Sequence, residues 1–279
     1  MTETSGKLFL FGPGYVAHAL AKAWTDDVLA TYRSDQSRDR IDASGMTGIS
    51  IEDIDALAAG VNGAHIVISA APGEAGCPAQ SAIGQYAETA KTVTYLSTTG
   101  VYGDLNGGWA FEWTPVAPGS ERAKRRVGAE NAWLNTRPDA CIVRLPGIYG
   151  PGRSPFDRVR DGRARQIIKP GQVFSRAHRD DIARGLLALI ESSETGVFNL
   201  CDEEAAPPQD VTAYAYELLG LDVPPGVSIE QADLSDMARS FYAECKRVSN
   251  AKLKAATGWR PVYPTYREGL QAILETEQG

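Results

Sequence analysis

KLFLFGPGYVA, Lys7 to Ala17, decides the fold. Five residues of strand character run without a break into Gly12-Pro13-Gly14-Tyr15-Val16-Ala17, and a helical pattern, YVAHALAKAW, follows at once. This is G-x-G-x-x-A in a strand-turn-helix setting, the setting in which the pattern carries chemistry. Gly12 permits the tight turn, and Gly14 lets backbone come close to an anion. Ala17 keeps helix and strand in close contact, and the backbone of Tyr15 and Val16 opens the helix whose unpaired N–H groups face a phosphate. The alternative is an ordinary glycine-bearing connection between a strand and a helix.

Outward from this turn the chain alternates. VLATY, HIVISAA, TVTYLS, ACIVRL and VFNL read as further strands, rich in branched residues. Segments such as AQSAIGQYAETA and RRVGAENAWLN have apolar residues at helical spacing. Strands apolar on both faces, alternating with helices, predict an α/β fold: a Rossmann-type doubly wound parallel sheet covered by helices on each side. After about Leu200 the strand signal fades and prolines 207, 208, 224 and 225 punctuate short helical stretches. The expected division is a nucleotide-binding domain over 1–200, contributing part of a substrate cleft at about 150–180, and a smaller, mostly helical C-terminal lobe over 201–279. With 279 residues, 43% of them hydrophobic, the chain is able to bury a substantial core.

Composition narrows the function. A formal charge of −7 argues against nucleic acid, since phosphate backbones demand a basic face. No run approaches the ~18 apolar residues of a membrane span, and MTETSGK lacks the basic and apolar parts of a signal peptide, so the expected location is the cytoplasm, away from any membrane. The four cysteines and three histidines are dispersed without metal-ligand spacing, which predicts no metal site.

About twenty residues past the glycines, where an acidic side chain would bond the 2′-hydroxyl of NAD, the second strand ends in Arg33-Ser34. A guanidinium beside a hydroxyl suits the 2′-phosphate of NADP, which makes NADP the expected cofactor ahead of NAD. Alternatively Arg33 is a solvated charge and Asp35 caps the next helix.

Four further stretches carry a resemblance: TYLSTTGVYGD (Thr94 to Asp104), IVRLPGIYGPGR (Ile142 to Arg153), FSRAHRDDIARGL (Phe174 to Leu186) and VSNAKLKAATGWRPVYPTYREGL (Val248 to Leu270). With them the chain resembles an extended short-chain dehydrogenase/reductase of the NAD-dependent epimerase/dehydratase family, in an atypical branch, because the glycine pattern departs from T-G-x-x-G-x-x-G. The resemblance implies a small-molecule substrate, anionic or sugar-like, and a pocket in which Ser69-Ala70-Ala71-Pro72 would lie along the dinucleotide and Pro146-Gly147 would border its nicotinamide end, small residues being needed where a flat cofactor passes backbone. It also implies a site of a Ser or Thr, a Tyr, and a Lys four residues after the Tyr. Thr98 matches the hydroxyl. Counting back from Ala129-Glu130, the tyrosine position holds Arg122 and the lysine position Arg126. Arginine stays protonated at physiological pH, so Arg122 cannot exchange a proton as a phenol does. Arg126 keeps the capacity to donate to a ribose or phosphate.

Tyr102 and Tyr149 both follow strand ends on the ligand side of such a sheet; Tyr149 is a candidate catalytic group, with packing as the alternative. His178 precedes a helix that Asp180 or Asp181 is expected to cap. Arg153, Arg176 and Arg179 either face an anionic substrate or pair with Asp157, Asp180 and Asp181. Two functions stay open: an NADP-dependent oxidoreductase or epimerase-like enzyme with Thr98 polarising the reacting oxygen, and a non-catalytic NADP-binding regulatory or sensor module. Oligomeric state is not legible in the sequence.

Overall fold

The computed structural model describes residues 6–278, apart from 236–238 and 240. Seven parallel strands form its central sheet: β1 (Leu8–Phe11), β2 (Val28–Tyr32), β3 (Thr47–Ser50), β4 (His65–Ile68), β5 (Thr92–Thr98), β7 (Cys141–Leu145) and β11 (Gly196–Asn199). Their order is β11-β7-β5-β4-β1-β2-β3. The order reverses between β1 and β4, and a parallel sheet binds its ligand at such a reversal, outside the carboxyl ends of the strands. Six of the seven strands are the sequence's apolar runs. The seventh, TGIS, has one large apolar residue and only one strand neighbour, β2, so it escapes a periodicity reading.

Alternation along the strands splits the core into two layers. Leu8, Leu10, Val67, Leu96 and Val143 point to one face, where they meet α1 (Tyr15–Ala23) and α7 (Arg179–Glu191). Phe9, Phe11, Ile66, Ile68, Val93, Tyr95 and Ile142 point to the other. There they meet α3 (Ile54–Val61), α4 (Pro78–Ile83) and α5 (Glu121–Thr136). The central strands β1, β4, β5 and β7 bury both faces, which is why no polar alternation marks them. The fold is a Rossmann-type doubly wound α/β sheet.

Outside this sheet lie three two-residue or three-residue pairings. β8 (Gly147–Tyr149) pairs with β10 (Arg176–His178), β9 (Ile167–Ile168) with β12 (Val227–Ser228), and β6 (Trp109–Ala110) with β13 (Arg247–Val248). A third core joins Tyr149 and α6 (Phe156–Arg160) to α8 (Pro208–Leu218) and the helix Tyr266–Gln278. Leu253 of the helix Ala251–Thr257 and Trp259 instead enter the first layer of the main core. The residues after 200 therefore pack in both directions. Among the described residues no helix is long and apolar enough to cross a membrane.

Candidate functional site

The turn after β1 is set by contact. Gly12 has φ +68°, and a Cβ built on it would lie 2.7 Å from the Cβ of Ala70, so the position tolerates neither side chain nor ordinary backbone conformation. Its N–H donates to Thr31 Oγ1 at 2.9 Å, and its carbonyl accepts from Ser69 Oγ at 2.5 Å. β1, β2 and β4 are thus tied together at one point. Gly14 forms the N-cap of α1 without a side-chain cap, and its own missing Cβ faces open space, with Ser69 Oγ at 3.9 Å the nearest atom. By contrast α2 (Asp35–Asp42), α3 and α5 are closed by Ser34, Asp53 and Ser120. An uncapped helix start leaves N–H donors and positive partial charge for an anion.

At the end of β2, Tyr32, Arg33, Ser34, Asp35, Ser50, Ile51 and Glu52 line a cavity of about 220 Å³. Arg33 is exposed there. The expected cap by Asp35 is corrected: Ser34 accepts from the Ser37 N–H and Ser37 reaches back, a reciprocal box that a hydroxyl at the first position makes better than a carboxylate one residue later. Ala71 and Pro72 follow β4 on the same side, exposed and half-buried.

Thr98 ends β5, half-buried, opposite Leu145 of β7 and hence beside Pro146 and Gly147. Its Oγ1 accepts from the Gly100 N–H at 3.2 Å, which leaves the hydroxyl proton free to be donated. Arg126 reaches toward the same strand: its Nη1 donates to the Leu96 carbonyl at 2.6 Å and to the Tyr95 hydroxyl at 3.1 Å. Burial pushes the Tyr95 phenol up to about 12, although the nearby guanidinium opposes the rise. Arg122 is exposed on the outer face of α5, while Lys124 pairs with Glu121 and Arg125 with Glu74. Arg126 thus turns inward and Arg122 turns out.

Tyr149 does not join this group. Its hydroxyl donates to the Thr265 carbonyl at 3.3 Å, and a side chain at Gly269 would collide with its ring, so it is wedged under the helix Tyr266–Gln278. Burial, reinforced by Asp202 and Asp181, drives its phenol far above the usual range, where it holds its proton at neutral pH. The packing alternative describes it. Tyr102 is likewise buried, donating to Asn199 Oδ1 at 2.7 Å.

The cap of α7 is also corrected. His178, not Asp180 or Asp181, closes it, its Nδ1 accepting from the Asp180 N–H at 3.2 Å. Burial lowers the affinity of this imidazole for a proton, which keeps the nitrogen an acceptor. Asp181 instead accepts from the Val262 and Tyr263 N–H groups, both at 2.8 Å, and pairs with Arg184. Of the three arginines, Arg176 donates to the Phe174 and Ala206 carbonyls, Arg179 pairs with Asp180 at 2.9 Å, and Asp157 pairs with Arg160 rather than Arg153.

Below Thr98 lies a buried charge network that the sequence reading missed. Glu130 is 3% and Arg144 5% exposed; Arg144 Nη2 and Nε meet the two carboxylate oxygens at 2.7 and 3.1 Å. Ser97 Oγ donates to Glu130 at 2.5 Å, and the Arg144 guanidinium carbon stands 4.8 Å from the centre of the Tyr102 ring. One end of the network therefore touches α5 and the other the turn after Thr98. The signal was present in Ala129-Glu130 and IVRL, but the partners lie on different elements.

No protein-family model matches the chain. A conserved protein of unknown function from Silicibacter pomeroyi DSS is 44% identical, with a TM-score of 0.90 over 98% of this chain and 99% of that one. The chain belongs to that protein's family. The dTDP-glucose 4,6-dehydratase DesIV from Streptomyces venezuelae, solved with NAD, aligns with a TM-score of 0.76 over 98% of this chain and 97% of its own at 18% identity. Solved structures similar to the chain include members of the NAD-dependent epimerase/dehydratase family, and the shared architecture establishes the fold. Among curated proteins, a 3-diazoavenalumate denitrifying reductase from a Streptomyces species is 27% identical over 142 residues, 46% of this chain and 45% of the reductase. The chain spans about half the length of the curated relatives it matches.

Replacing Glu130 by Gln leaves a buried guanidinium without its counter-charge. Urea denaturation is expected to show a loss of roughly 3–5 kcal/mol. A loss below about 1 kcal/mol, the worth of an exposed pair, would contradict the buried network.

Proposed function

We propose that the chain binds a nicotinamide dinucleotide across the carboxyl ends of β1, β2, β4, β5 and β7, in the manner of an atypical extended short-chain dehydrogenase/reductase. One observation carries the reading: the uncapped start of α1 sits directly behind the Gly12–Gly14 turn, at the strand-order reversal, with Gly12 pressed on Ala70. The residues fit the group. Gly12, Gly14, Tyr15 and Val16 take its diphosphate on backbone, Ala70, Ala71 and Pro72 flank its length, and Pro146 and Gly147 border the nicotinamide. Arg126 keeps Nε and Nη2 for a ribose hydroxyl while Nη1 is held by Leu96 and Tyr95.

Arg33 at the mouth of the β2 cavity supports NADP over NAD, since a guanidinium there finds no acceptor on a bare ribose comparable to a 2′-phosphate. The NAD bound to DesIV belongs to that protein. Domain 1–200 would hold the cofactor, and 150–180 with 201–279 would cover a small-molecule substrate.

When bound, the nicotinamide supplies hydride transfer. Thr98, with its proton free, donates to the reacting oxygen. Arg122, exposed and permanently charged, exchanges no proton. The absence of a phenol at that position favours a second reading, a module that binds NADP and performs no redox step. The chemistry of reductase and dehydratase relatives favours the first.

Calorimetric titration distinguishes the cofactor claim. NADPH is expected to bind more tightly than NADH, and Arg33→Ala to weaken NADPH alone by about tenfold to a hundredfold, roughly 1.5–3 kcal/mol for a charge-assisted bond. Equal weakening of both nucleotides, or none, would remove the 2′-phosphate role. NADPH oxidation across a panel of carbonyl compounds, falling by about tenfold or more in Thr98→Val, is the result expected of the enzyme. Tight NADPH binding with no oxidation would select the non-catalytic reading.

A further inference from the structure

Tyr15, the first residue of α1, is held from two sides of the chain. Its hydroxyl donates to the Pro151 carbonyl at 2.8 Å, and a Cβ on Gly150 would lie 2.6 Å from that hydroxyl and 3.1 Å from the Cβ of Arg179. Two guanidinium carbons, of Arg153 and Arg179, each stand over the Tyr15 ring at 4.9 Å from its centre. The loop Gly150 to Arg153 is closed by reciprocal backbone bonds between its ends, Arg153 N–H to Gly150 carbonyl at 2.9 Å and the reverse at 3.3 Å. Arg153 is therefore presented by a short, fixed turn and not by a free loop.

The charges do not cancel. Arg179 shares Asp180, whose carboxylate takes its Nε, while Arg153 has no ion pair among the described residues. A guanidinium held over an aromatic face keeps N–H donors for a ligand; Arg179 spends one on the Tyr15 hydroxyl and its Nε on Asp180, and Arg153 has no carboxylate partner among the described residues. The shielded Nε2 of His178, 3.6 Å from the position a Gly150 Cβ would take, has no hydrogen-bond partner either. So much unspent donor capacity converges beside one ring at the entrance to the dinucleotide turn.

We infer that Arg153 and Arg179, both held over the Tyr15 ring, form a preorganised clamp for a phosphate group. The inference rests on the dinucleotide reading and deepens it. Phosphate fits better than an apolar or neutral group because guanidinium groups make charge-assisted bonds to it, and the Tyr15 ring holds both of them at one place. The phosphate comes either from the cofactor's own diphosphate or from a phosphorylated substrate seated next to it.

The test uses the full chain and two variants, Arg153→Gln and Arg179→Gln, each checked by thermal melting. NADPH is titrated first, and inorganic pyrophosphate is then titrated into NADPH-saturated protein. Loss of pyrophosphate affinity by about tenfold or more in both variants, with NADPH unchanged, assigns the clamp to a substrate phosphate. A similar loss for NADPH assigns it to the cofactor. Retention of both affinities within about twofold in Arg153→Gln, which alters an exposed side chain, would overturn the clamp while the dinucleotide reading stands. Wild-type protein that binds pyrophosphate but no NADPH would overturn the dinucleotide reading and keep the clamp; wild-type protein that binds neither would overturn both.

Discussion

Everything at the candidate site depends on one close approach, that of Gly12 to Ala70. Any side chain at Gly12 would push β1 from β4, and with it the start of α1 from the place where the strand order reverses. The bonds from Ser69 and to Thr31 hold the same point from β4 and β2. A turn fixed by three strands presents backbone N–H groups in a set direction, which a loop fixed at its ends alone does not do. Arg33, Thr98 and Gly147 acquire their relation to one another from that arrangement, because each lies at the carboxyl end of a strand of a single parallel sheet, β2, β5 and β7.

Much of this was legible in the sequence. Six strands declare themselves as apolar runs, four of them buried on both faces, and the glycine turn because only glycine satisfies φ +68° and the contact with Ala70. Properties set by neighbours distant in sequence were not legible. Either Ser34 or Asp35 was chemically able to cap α2, and the start of the helix decided for the hydroxyl. At α7 two aspartates stand beside a buried histidine whose neutral Nδ1 takes the cap, freeing Asp181 to bind backbone at Val262 and Tyr263. Tyr149 looked available at the end of a strand until the helix Tyr266–Gln278 closed over it.

The basic stretch Arg122 to Arg126 resolves in the same way. Two of its four cations pair with surface carboxylates, one projects outward, and Arg126 alone enters the interior to hold Leu96 and Tyr95. Behind it the Glu130–Arg144 pair locks α5 to β7 and fixes the place of that helix beside the end of β5.

Amide hydrogen exchange at Tyr15, Val16 and Ala17, with and without NADPH, tests the central claim most directly. These N–H groups open α1 and lack intrahelical acceptors, so a diphosphate seated on them is expected to slow their exchange by about tenfold or more. Unchanged exchange at these three residues under saturating NADPH would show that the turn is not a phosphate site.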